Sequence, residues 1–356
     1  MILEVYDTEE GYAPVVRKIF EKHLSRIKRN SRILIKADLY GGAKSPESGA
    51  VTNLELVEEL VRDLNKLTPR EIIVADSGNI MPTFKAFELQ GFSDLKTRYR
   101  NLRLVDFDLS QKIKVQNDRF IAIKNISLPE ELILCDYFIN IANFKRHVSE
   151  RVSGCSINLY NCIPDRQTKI RYLPIVGSVI NDLVVTTKPF LNILDCTIVL
   201  QGSGPVEGEP VRLNRLVVSD EPALADAAAC KLIGDDPNRV PHLRELACRK
   251  LKSKSLEEIH LVKRVEFINS FPYSLVRCSL FLKKLGLYLE NLAYLFFLVS
   301  FVFISIGPKN LIRGRWVPFN EYFKTAWTIF SKFEEPNNLL NWKITINKHV
   351  EQESIS

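Results

Sequence analysis

The chain has 356 residues, of which 46% are hydrophobic and 26% charged, an ordinary composition for a globular protein. Its net charge of +7 is modest, and the main body has no basic stripe interleaved with aromatic residues, so we expect no nucleic-acid partner. The five histidines are scattered and the seven cysteines form no CxxC pair, so we expect no metal site. The acidic opening MILEVYDTEE is unlike a signal peptide, and unpaired thiols suit a reducing compartment. We therefore expect a cytoplasmic main body.

Hydrophobic periodicity predicts a βαβ unit near the start of the chain. A polar, Gly-rich loop follows the first strand, and either Thr52 or Asn53 can cap the next helix, because a short oxygen-bearing side chain accepts hydrogen bonds from free N–H groups of the first turn. The predicted elements are a helix within residues 11–30, strand Arg32–Lys36, helix Leu54–Leu67 and strand Glu71–Asp76.

The alternation of strands and helices continues to about residue 262. The further predicted strands are Leu102–Asp108, Phe120–Lys124, Tyr137–Ala142, Leu191–Leu200, Arg215–Ser219 and Ile259–Val262. The further predicted helices are Pro82–Gln90, Ile175–Val185, Glu221–Leu232 and Arg239–Leu251. This order is typical of the α/β class, with a mostly parallel open sheet and flanking helices.

The composition changes near residue 267, which predicts an α/β domain over 1–266 and an apolar, mainly helical appendage over 267–356. The apolar run Leu292–Ile306 has 15 residues, fewer than the roughly 20 that a spanning helix needs. Basic and aromatic residues border it, which suits a membrane surface contacted through 281–316. A buried helix or a subunit interface is the alternative. The bordering residues are Lys283, Lys284, Lys309, Arg313, Arg315 and Trp316.

Polar residues follow the apolar strand at Tyr137–Ala142, where ligands of open α/β sheets usually bind. Lys145 offers a positive charge, and a neutral His147 can accept or donate a proton near neutral pH. Two residues apart on an extended segment, they project to the same side. Asn140 and Asn158 can add neutral hydrogen bonds. The set suits a carboxylate, phosphate or enolate, although a solvated basic turn would also explain it.

Other segments contribute further candidates. The loop GSGPVEGEP places Gly202, Gly204 and Gly208 where a ligand can approach the backbone closely, unless it is only a structural turn. Its glycines fit neither a dinucleotide fingerprint nor a P-loop. Asp195 lies inside an apolar strand, where a charge needs a partner, and Asp226 lies in an Ala-rich helix. Either carboxylate can instead bond nearby backbone. Strand-end side chains elsewhere are Lys36, Asp38, Asp76 and Ser77.

Several segments in order resemble the DUF362 family of uncharacterised, often iron–sulfur-associated proteins. They run from about Ile33 to Leu243 and comprise ILIKADL, GAVTNLELVEEL, DYFINIANFKRH, SGCSINLYNCIP, LNILDCTIVLQGSGPVEGEP and ALADAAACKLIGDDP. The resemblance implies this fold and a site that includes Lys145, His147, Asn158, Asp195 and Asp226. It implies no particular reaction.

The chain also departs from the family pattern. ADL ends the first strand where we expect PNL, and Asn53 stands where a His or Pro is common. Ile157 stands beside Asn158 where we expect a Lys, which removes a positive group from the site and puts activity in doubt. The ferredoxin-like cysteine set of many relatives is missing, so an iron–sulfur cluster is not implied and the cofactor is unknown.

Two hypotheses about function follow. In the first, the protein is an enzyme for a small anionic metabolite, with catalytic Lys145, His147 and Asp226. In the second, it is a non-catalytic binding or accessory protein held at a membrane by its C-terminal segment. A redox role for Cys155 and Cys162 is a third, weaker alternative. The residues expected to bind the substrate are Lys36, Asp38, Asn140, Asn158, Asp195, Gly202, Gly204 and Gly208.

Overall fold

The computed structural model describes residues 1–77, 81–164, 166–202, 204–246 and 254–265. The strands are β1 Leu3–Asp7, β2 Arg32–Lys36, β3 Glu71–Asp76, β4 Leu102–Asp106, β5 Lys112–Val115, β6 Ile126–Pro129, β7 Tyr137–His147, β8 Arg151–Ser153, β9 Leu191–Gln201 and β10 Glu209–Ser219. The helices are α1 Tyr12–Ile19, α2 Leu54–Asn65, α3 Thr83–Leu89, α4 Phe92–Arg98, α5 Glu130–Leu134, α6 Cys155–Tyr160, α7 Arg166–Tyr172, α8 Val176–Thr187, α9 Pro222–Leu232, α10 Pro241–Leu246 and α11 Lys254–Glu257. A π-helical turn, Phe20–Leu24, continues α1.

An eight-stranded sheet organises the described residues, with the order β1-β10-β9-β7-β2-β3-β4 and β8 paired to β7. The strands β9, β7, β2, β3 and β4 run parallel to their neighbours, so their carboxyl ends lie along one edge. The strands β10 and β1 extend the sheet antiparallel beyond β9. This architecture confirms the predicted α/β fold class with a mostly parallel sheet and flanking helices.

Both faces of the sheet are covered by helices, because its central strands are apolar on both sides. Alternate residues of β2 show the division. Ile33 and Ile35 pack in the core formed with α1, α2, α3 and α4. Leu34 packs in the opposite core, formed with α6, α8, α9 and α10. Lys36 continues the Leu34 side, so the last residue of β2 carries a charge into the layer between the sheet and α6.

Local sequence signals are accurate for the first βαβ unit. The strands at Arg32–Lys36 and Glu71–Asp76 have the predicted bounds. The helix α2 begins at Leu54, and the Asn53 side chain caps it by accepting from the backbone N–H of Glu55 at 2.9 Å. The predicted strand at Tyr137–Ala142 is longer than expected and continues to His147.

Two predicted strands are wrong. Residues 120–124 form no strand, because the carboxylate of Asp182 accepts the backbone N–H groups of Ile121, Ala122 and Ile123 at 2.9 to 3.1 Å. Residues 259–262 are also not paired with a strand. The backbone N–H of Val262 donates instead to the carbonyl of Leu232. The strands β1, β5, β6 and β8 have no counterpart among the predicted strands.

The predicted C-terminal appendage, including the run Leu292–Ile306, lies outside the described residues. The domain division at residue 266 therefore stays a prediction. Within the described part of the chain, none of the helices has the length and apolarity needed to cross a bilayer.

Candidate functional site

A row of buried polar residues crosses four strands of the sheet at one level. Lys36 of β2 pairs in register with Asn140 of β7, Asn140 with Asn192 of β9, and Asn192 with Ser219 of β10. All four side chains are completely buried. The Asn140 amide donates to Asn192 Oδ1 at 2.9 Å, and the Asn192 amide donates to the Ser219 carbonyl at 3.3 Å. Buried amide groups need hydrogen-bond partners, and these bonds hold the Asn140 and Asn192 side chains in one orientation.

The helix α6 covers this polar row and completes its hydrogen bonds through Asn158. Lys36 Nζ donates to Asn158 Oδ1 at 2.8 Å. Asn158 Nδ2 in turn donates to Asn140 Oδ1 at 2.8 Å and to the Ile141 carbonyl at 2.9 Å. A second amide proton of Asn140 is accepted by the Cys155 carbonyl at 3.0 Å. Three of the predicted site residues, Lys36, Asn140 and Asn158, thus form one bonded network.

Asp76, at the carboxyl end of β3, is the counter-charge of Lys36. Burial raises the pKa of Asp76, and the adjacent Lys36 ammonium opposes that rise. The next residue, Ser77, accepts from Lys169 Nζ at 3.1 Å. Burial lowers the pKa of Lys169 to about 8, against the attraction of Asp108 and Asp76. Lys169 therefore adds a second buried amine on the α6 side of this edge.

Lys145 lies on the other side of the sheet edge, paired with Asp38. Its Nζ lies 2.8 Å from Asp38 Oδ2 and donates to the Ala50 carbonyl at 2.7 Å. The loop that carries Asp38 is held by Thr52, whose N–H donates to the Asp38 carbonyl at 2.8 Å. Lys145 is 1% exposed and the neighbouring Arg146, paired with Asp235, is 3% exposed. This segment is therefore a buried strand, and the alternative of a solvated basic turn is wrong.

His147 follows Lys145 on the same face of β7, because successive side chains alternate along a strand. Its Nδ1 accepts from the backbone N–H groups of Ser149 and Glu150 at 3.3 and 3.2 Å. The proton of the neutral ring therefore resides on Nε2. Burial and the positive charges of His242 and Lys145 lower the pKa of His147 to about 3. His147 is thus a neutral hydrogen-bond donor at physiological pH.

The predicted glycine loop contacts the Lys145–His147 segment directly. A Cβ on Gly204 would lie 1.9 Å from the carbonyl oxygen of Arg146, the residue between Lys145 and His147. A Cβ on Gly208 would lie 2.1 Å from the carbonyl oxygen of Gln201. Both glycines are therefore required by close backbone contacts. For Gly202, the requirement is a φ of +93°.

Asp195 and Asp226 are satisfied by protein groups of their own. Asp195 accepts from the Tyr12 hydroxyl at 2.7 Å and from the Thr197 N–H at 2.8 Å, in the core below α1. Burial raises the pKa of Asp195. Asp226 is completely buried and accepts from the N–H groups of Cys155 and Ser156 at 2.7 and 2.9 Å, which caps α6. Asp226 thus holds the helix that carries Asn158.

Cys155 and Cys162 are buried thiols. Burial raises the pKa of Cys162 to about 12 and that of Cys155 well above its usual range. Protonated, buried thiols are poor nucleophiles, which weakens the redox alternative. Ile157, the residue that replaces an expected lysine, is buried in the apolar core. Among the described residues, we find no cluster of three or more His, Cys, Asp or Glu side chains suited to a metal ion.

Sequence analysis missed several partners of these residues. Asn192 is hidden inside an apolar strand, and only the register with β7 reveals its role. Glu150, Lys169 and His242 lie in segments with no motif. Asp76 was noted as a strand-end residue but was not included in the predicted site.

Taken together, the sheet and its charged edge define a mixed α/β protein with a candidate ligand site at the carboxyl ends of parallel strands. The sequence matches the family described as "Domain of unknown function (DUF362)" over residues 33–231, more than half of the chain. The protein belongs to that family, which confirms the resemblance drawn from the sequence segments.

Three individual proteins show distant similarity to this chain. A thylakoid-associated protein of Synechocystis sp. is 20% identical over 232 residues, which cover 60% of this chain and 67% of the relative. A crystal structure of a Thermotoga maritima protein superposes with a TM-score of 0.36 and 14% identity, covering 58% of this chain and 53% of that one. The lactate racemase apoprotein from Thermoanaerobacterium thermosaccharolyticum superposes with a TM-score of 0.38 and 12% identity, covering 65% and 57%. The chain thus spans little more than half of each solved structure.

Proposed function

We propose that the protein is an enzyme that binds a small anionic substrate at the carboxyl edge of its parallel strands. The observation that carries the proposal is the burial of Lys145 and Lys36 at this edge, with His147 on the same strand face as Lys145. Each ammonium is paired with a buried carboxylate, and such buried ion pairs add little to stability, so their concentration at this edge favours a functional role. The substrate would be a carboxylate, a phosphate or an enolate precursor.

Lys145 is suited to hold the anion. One of its present partners is the neutral carbonyl of Ala50, at 2.7 Å, and an anionic oxygen in that position would form a stronger, charge-assisted hydrogen bond. Asp38, the other partner, keeps the ammonium in place. Because the site is buried, the attraction between Lys145 and an anion is far less screened than on the surface.

His147 is suited to move a proton once the anion is bound. Its pKa of about 3 reflects burial and the neighbouring positive charges. An anion beside Lys145 would offset those charges and raise the pKa of His147, which brings the ring closer to the range useful for acid–base catalysis. Only the charged ring, with a proton on each nitrogen, could donate the Nε2 proton to the substrate, and it would return to the neutral form on doing so. Lys36 and Asn158 would position the opposite side of the substrate.

Selective ¹⁵N labelling of the five histidines in the full-length protein tests this proposal. The probes are inorganic phosphate and acetate, titrated separately. We expect either anion to raise the pKa of His147 from about 3, and Lys145→Met to remove that effect. The exposed His260 serves as the internal control. A folded protein in which neither phosphate nor acetate changes the pKa of His147 would falsify the proposal.

A second candidate function, as a membrane-associated accessory protein, is favoured by the sequence of 281–316. Its apolar run with basic and aromatic borders suits the headgroup region of a bilayer. The name of the Synechocystis relative, a thylakoid-associated protein, also supports this candidate. The two functions are compatible, because the candidate site lies in the α/β part of the chain.

Fractionation of cells that express the full-length protein tests the membrane candidate. We expect the wild type in the membrane fraction and a Phe297→Lys/Phe301→Lys variant in the soluble fraction, because charges in the apolar run oppose insertion. Phe84→Lys, on the exposed part of α3, is the matched control. Wild-type protein that stays soluble without detergent would rule out the anchor.

A further inference from the structure

The candidate site is built on two segments, the turn after β7 and the helix α6, and Asn158 of α6 already bonds to β7 through Asn140 and the Ile141 carbonyl. The turn after β7 fixes His147, because the backbone N–H groups of Ser149 and Glu150 donate to its Nδ1. The helix α6 fixes Asn158, which accepts from Lys36. The strand β8 joins the turn to α6 along the chain and pairs with β7, and a further, side-chain connection reaches from the turn to the carboxylate that caps α6.

His242, near the start of α10, makes that connection. Its Nδ1 lies 3.3 Å from Glu150 Oε2, and its backbone N–H donates to the same oxygen at 3.2 Å. Its Nε2 lies 3.8 Å from Asp226 Oδ2. Asp226 in turn caps α6 through the N–H groups of Cys155 and Ser156. One ring thus lies between the turn of His147 and the helix of Asn158.

We infer that His242 is a positioning residue that holds both halves of the candidate site by bridging Glu150 and Asp226. The inference deepens the proposed function and rests on it, since it assigns His242 a role in the same site. The polar contacts of His242 are with Glu150 and Asp226, so it would act on the site through these two carboxylates.

Burial of the bridge makes the charge of His242 important. His242 and Asp226 are completely buried, and Glu150 is 2% exposed, so the charges of this bridge interact with little screening by solvent. Burial alone disfavours the charged ring, but Asp226 and Glu150 outweigh it and raise the pKa of His242 to about 9.

The surroundings of His242 support this arrangement. The charged and titratable groups that face the ring are Glu150 from the turn after β7, Asp226 from α9 and, more distantly, His147. Glu245, on the same helix α10, faces α8 instead, where it accepts from the Ser178 N–H at 3.2 Å. The imidazolium therefore has two carboxylate partners at ion-pair distance.

The tautomer of His147 reports on this role, because it depends on the turn donating to Nδ1, whereas loss of the His242 charge alone would change only the pKa of His147. The test variant is His242→Gln in the full-length protein. The matched control is His23→Gln. His23 is also buried beside a carboxylate, with Nε2 3.0 Å from Glu4 Oε2, but it lies on the π-helical turn and its partner is on the edge strand β1.

In His242→Gln we expect the His147 Nδ1 signal to shift from an unprotonated nitrogen towards an average of two tautomers, because the turn is no longer held. In His23→Gln we expect the wild-type His147 spectrum. Unchanged His147 signals in folded His242→Gln protein overturn the inference. The phosphate titration of the wild type is separate, so a failure of the proposed function would be recognised independently.

If His242→Gln does not fold, the wild type supplies the second measurement. Raising the pH through about 9 deprotonates His242. We expect the His147 ring signals to shift with that midpoint and the exposed His260 to stay constant. A His147 spectrum that does not change across this range overturns the inference.

Discussion

Lys145 Nζ lies 2.8 Å from Asp38 Oδ2, and neither side chain is more than 3% exposed. The two residues are distant in sequence, and their pairing joins the loop after β2 to the far end of β7. A buried ion pair does not by itself favour folding, because desolvating both charges offsets their attraction. Its presence at the carboxyl edge of the sheet therefore points to function more than to stability.

The first prediction follows from this pair. Asp38→Asn leaves the Lys145 ammonium buried without its counter-charge, and we expect a loss of about 3 kcal/mol or more in the free energy of unfolding. Urea denaturation measures it. The exposed pair of Lys85 and Glu88, at 2.9 Å, supplies the control, since Glu88→Gln should leave the midpoint almost unchanged. If Asp38→Asn and Glu88→Gln lowered the free energy of unfolding equally, burial of the Lys145–Asp38 pair would not explain the loss.

The second prediction concerns the polar row. Asn140→Ala removes the partner of Asn192 Oδ1 and of Asn158 Nδ2, and each buried group left unsatisfied costs about 1–3 kcal/mol. We expect a loss of more than about 2 kcal/mol in urea unfolding. Asn65→Ala is the matched control, because Asn65 donates only to a carbonyl of its own helix. A loss no larger than that of the control would show that the row is unimportant.

The candidate site could be predicted from the sequence only where its residues lie in or next to an apolar strand. Lys36 ends an apolar strand, and Lys145 follows the apolar run of β7, in which Asn140 lies. Parallel strands bring the ends of such runs to one edge. The role of Asp226 could not be foreseen, because it caps a helix 71 residues earlier in the chain. Asp195 bonds Tyr12 across 183 residues. Such partners depend on tertiary packing, which periodicity does not encode.

The same limit explains the errors in the fold. The segment 120–124 has strand-like residues, but three of its N–H groups are taken by Asp182 from another helix. Local propensity is overridden whenever a distant carboxylate offers better hydrogen bonds. The long strands β7 and β9 were predicted, although too short, because their apolar runs are continuous.

The third prediction concerns Gly204. A methyl group there would lie 1.9 Å from the Arg146 carbonyl oxygen, so Gly204→Ala must displace either the loop or β7. We expect overpacking to cost about 1–3 kcal/mol and the His147 ring signals to shift, because Arg146 precedes His147. Glu207→Gln, in the same loop, is the control: it should leave the His147 signals unchanged and cost no more than about 1 kcal/mol, for its ion pair with Lys44. If the His147 signals of Gly204→Ala matched those of the wild type, the close contact between Gly204 and the Arg146 carbonyl would be contradicted.

The fourth prediction tests whether Asp195 and Lys145 belong to the same site. Asp195 is bonded to Tyr12 and Thr197, so Asp195→Asn should lower stability without changing the response of His147 to phosphate. Lys145→Met should abolish that response. Titration of both variants with phosphate, followed by histidine NMR, makes the comparison. If Asp195→Asn also loses the response, Asp195 belongs to the site after all.

The fifth prediction is a pH dependence from His147. Its pKa falls from 6.5 to about 3 on folding, so the native state favours the neutral ring. The stability that this contributes is complete above about pH 6.5 and is lost as the pH falls towards about 3, because only the unfolded chain binds the proton there. In His147→Gln we therefore expect a weaker loss of stability on acidification, measured by urea unfolding at several pH values. The exposed His260→Gln is the control and should retain the wild-type acid sensitivity. A His147→Gln profile that parallels the wild type would mean that the ring becomes charged in the native state.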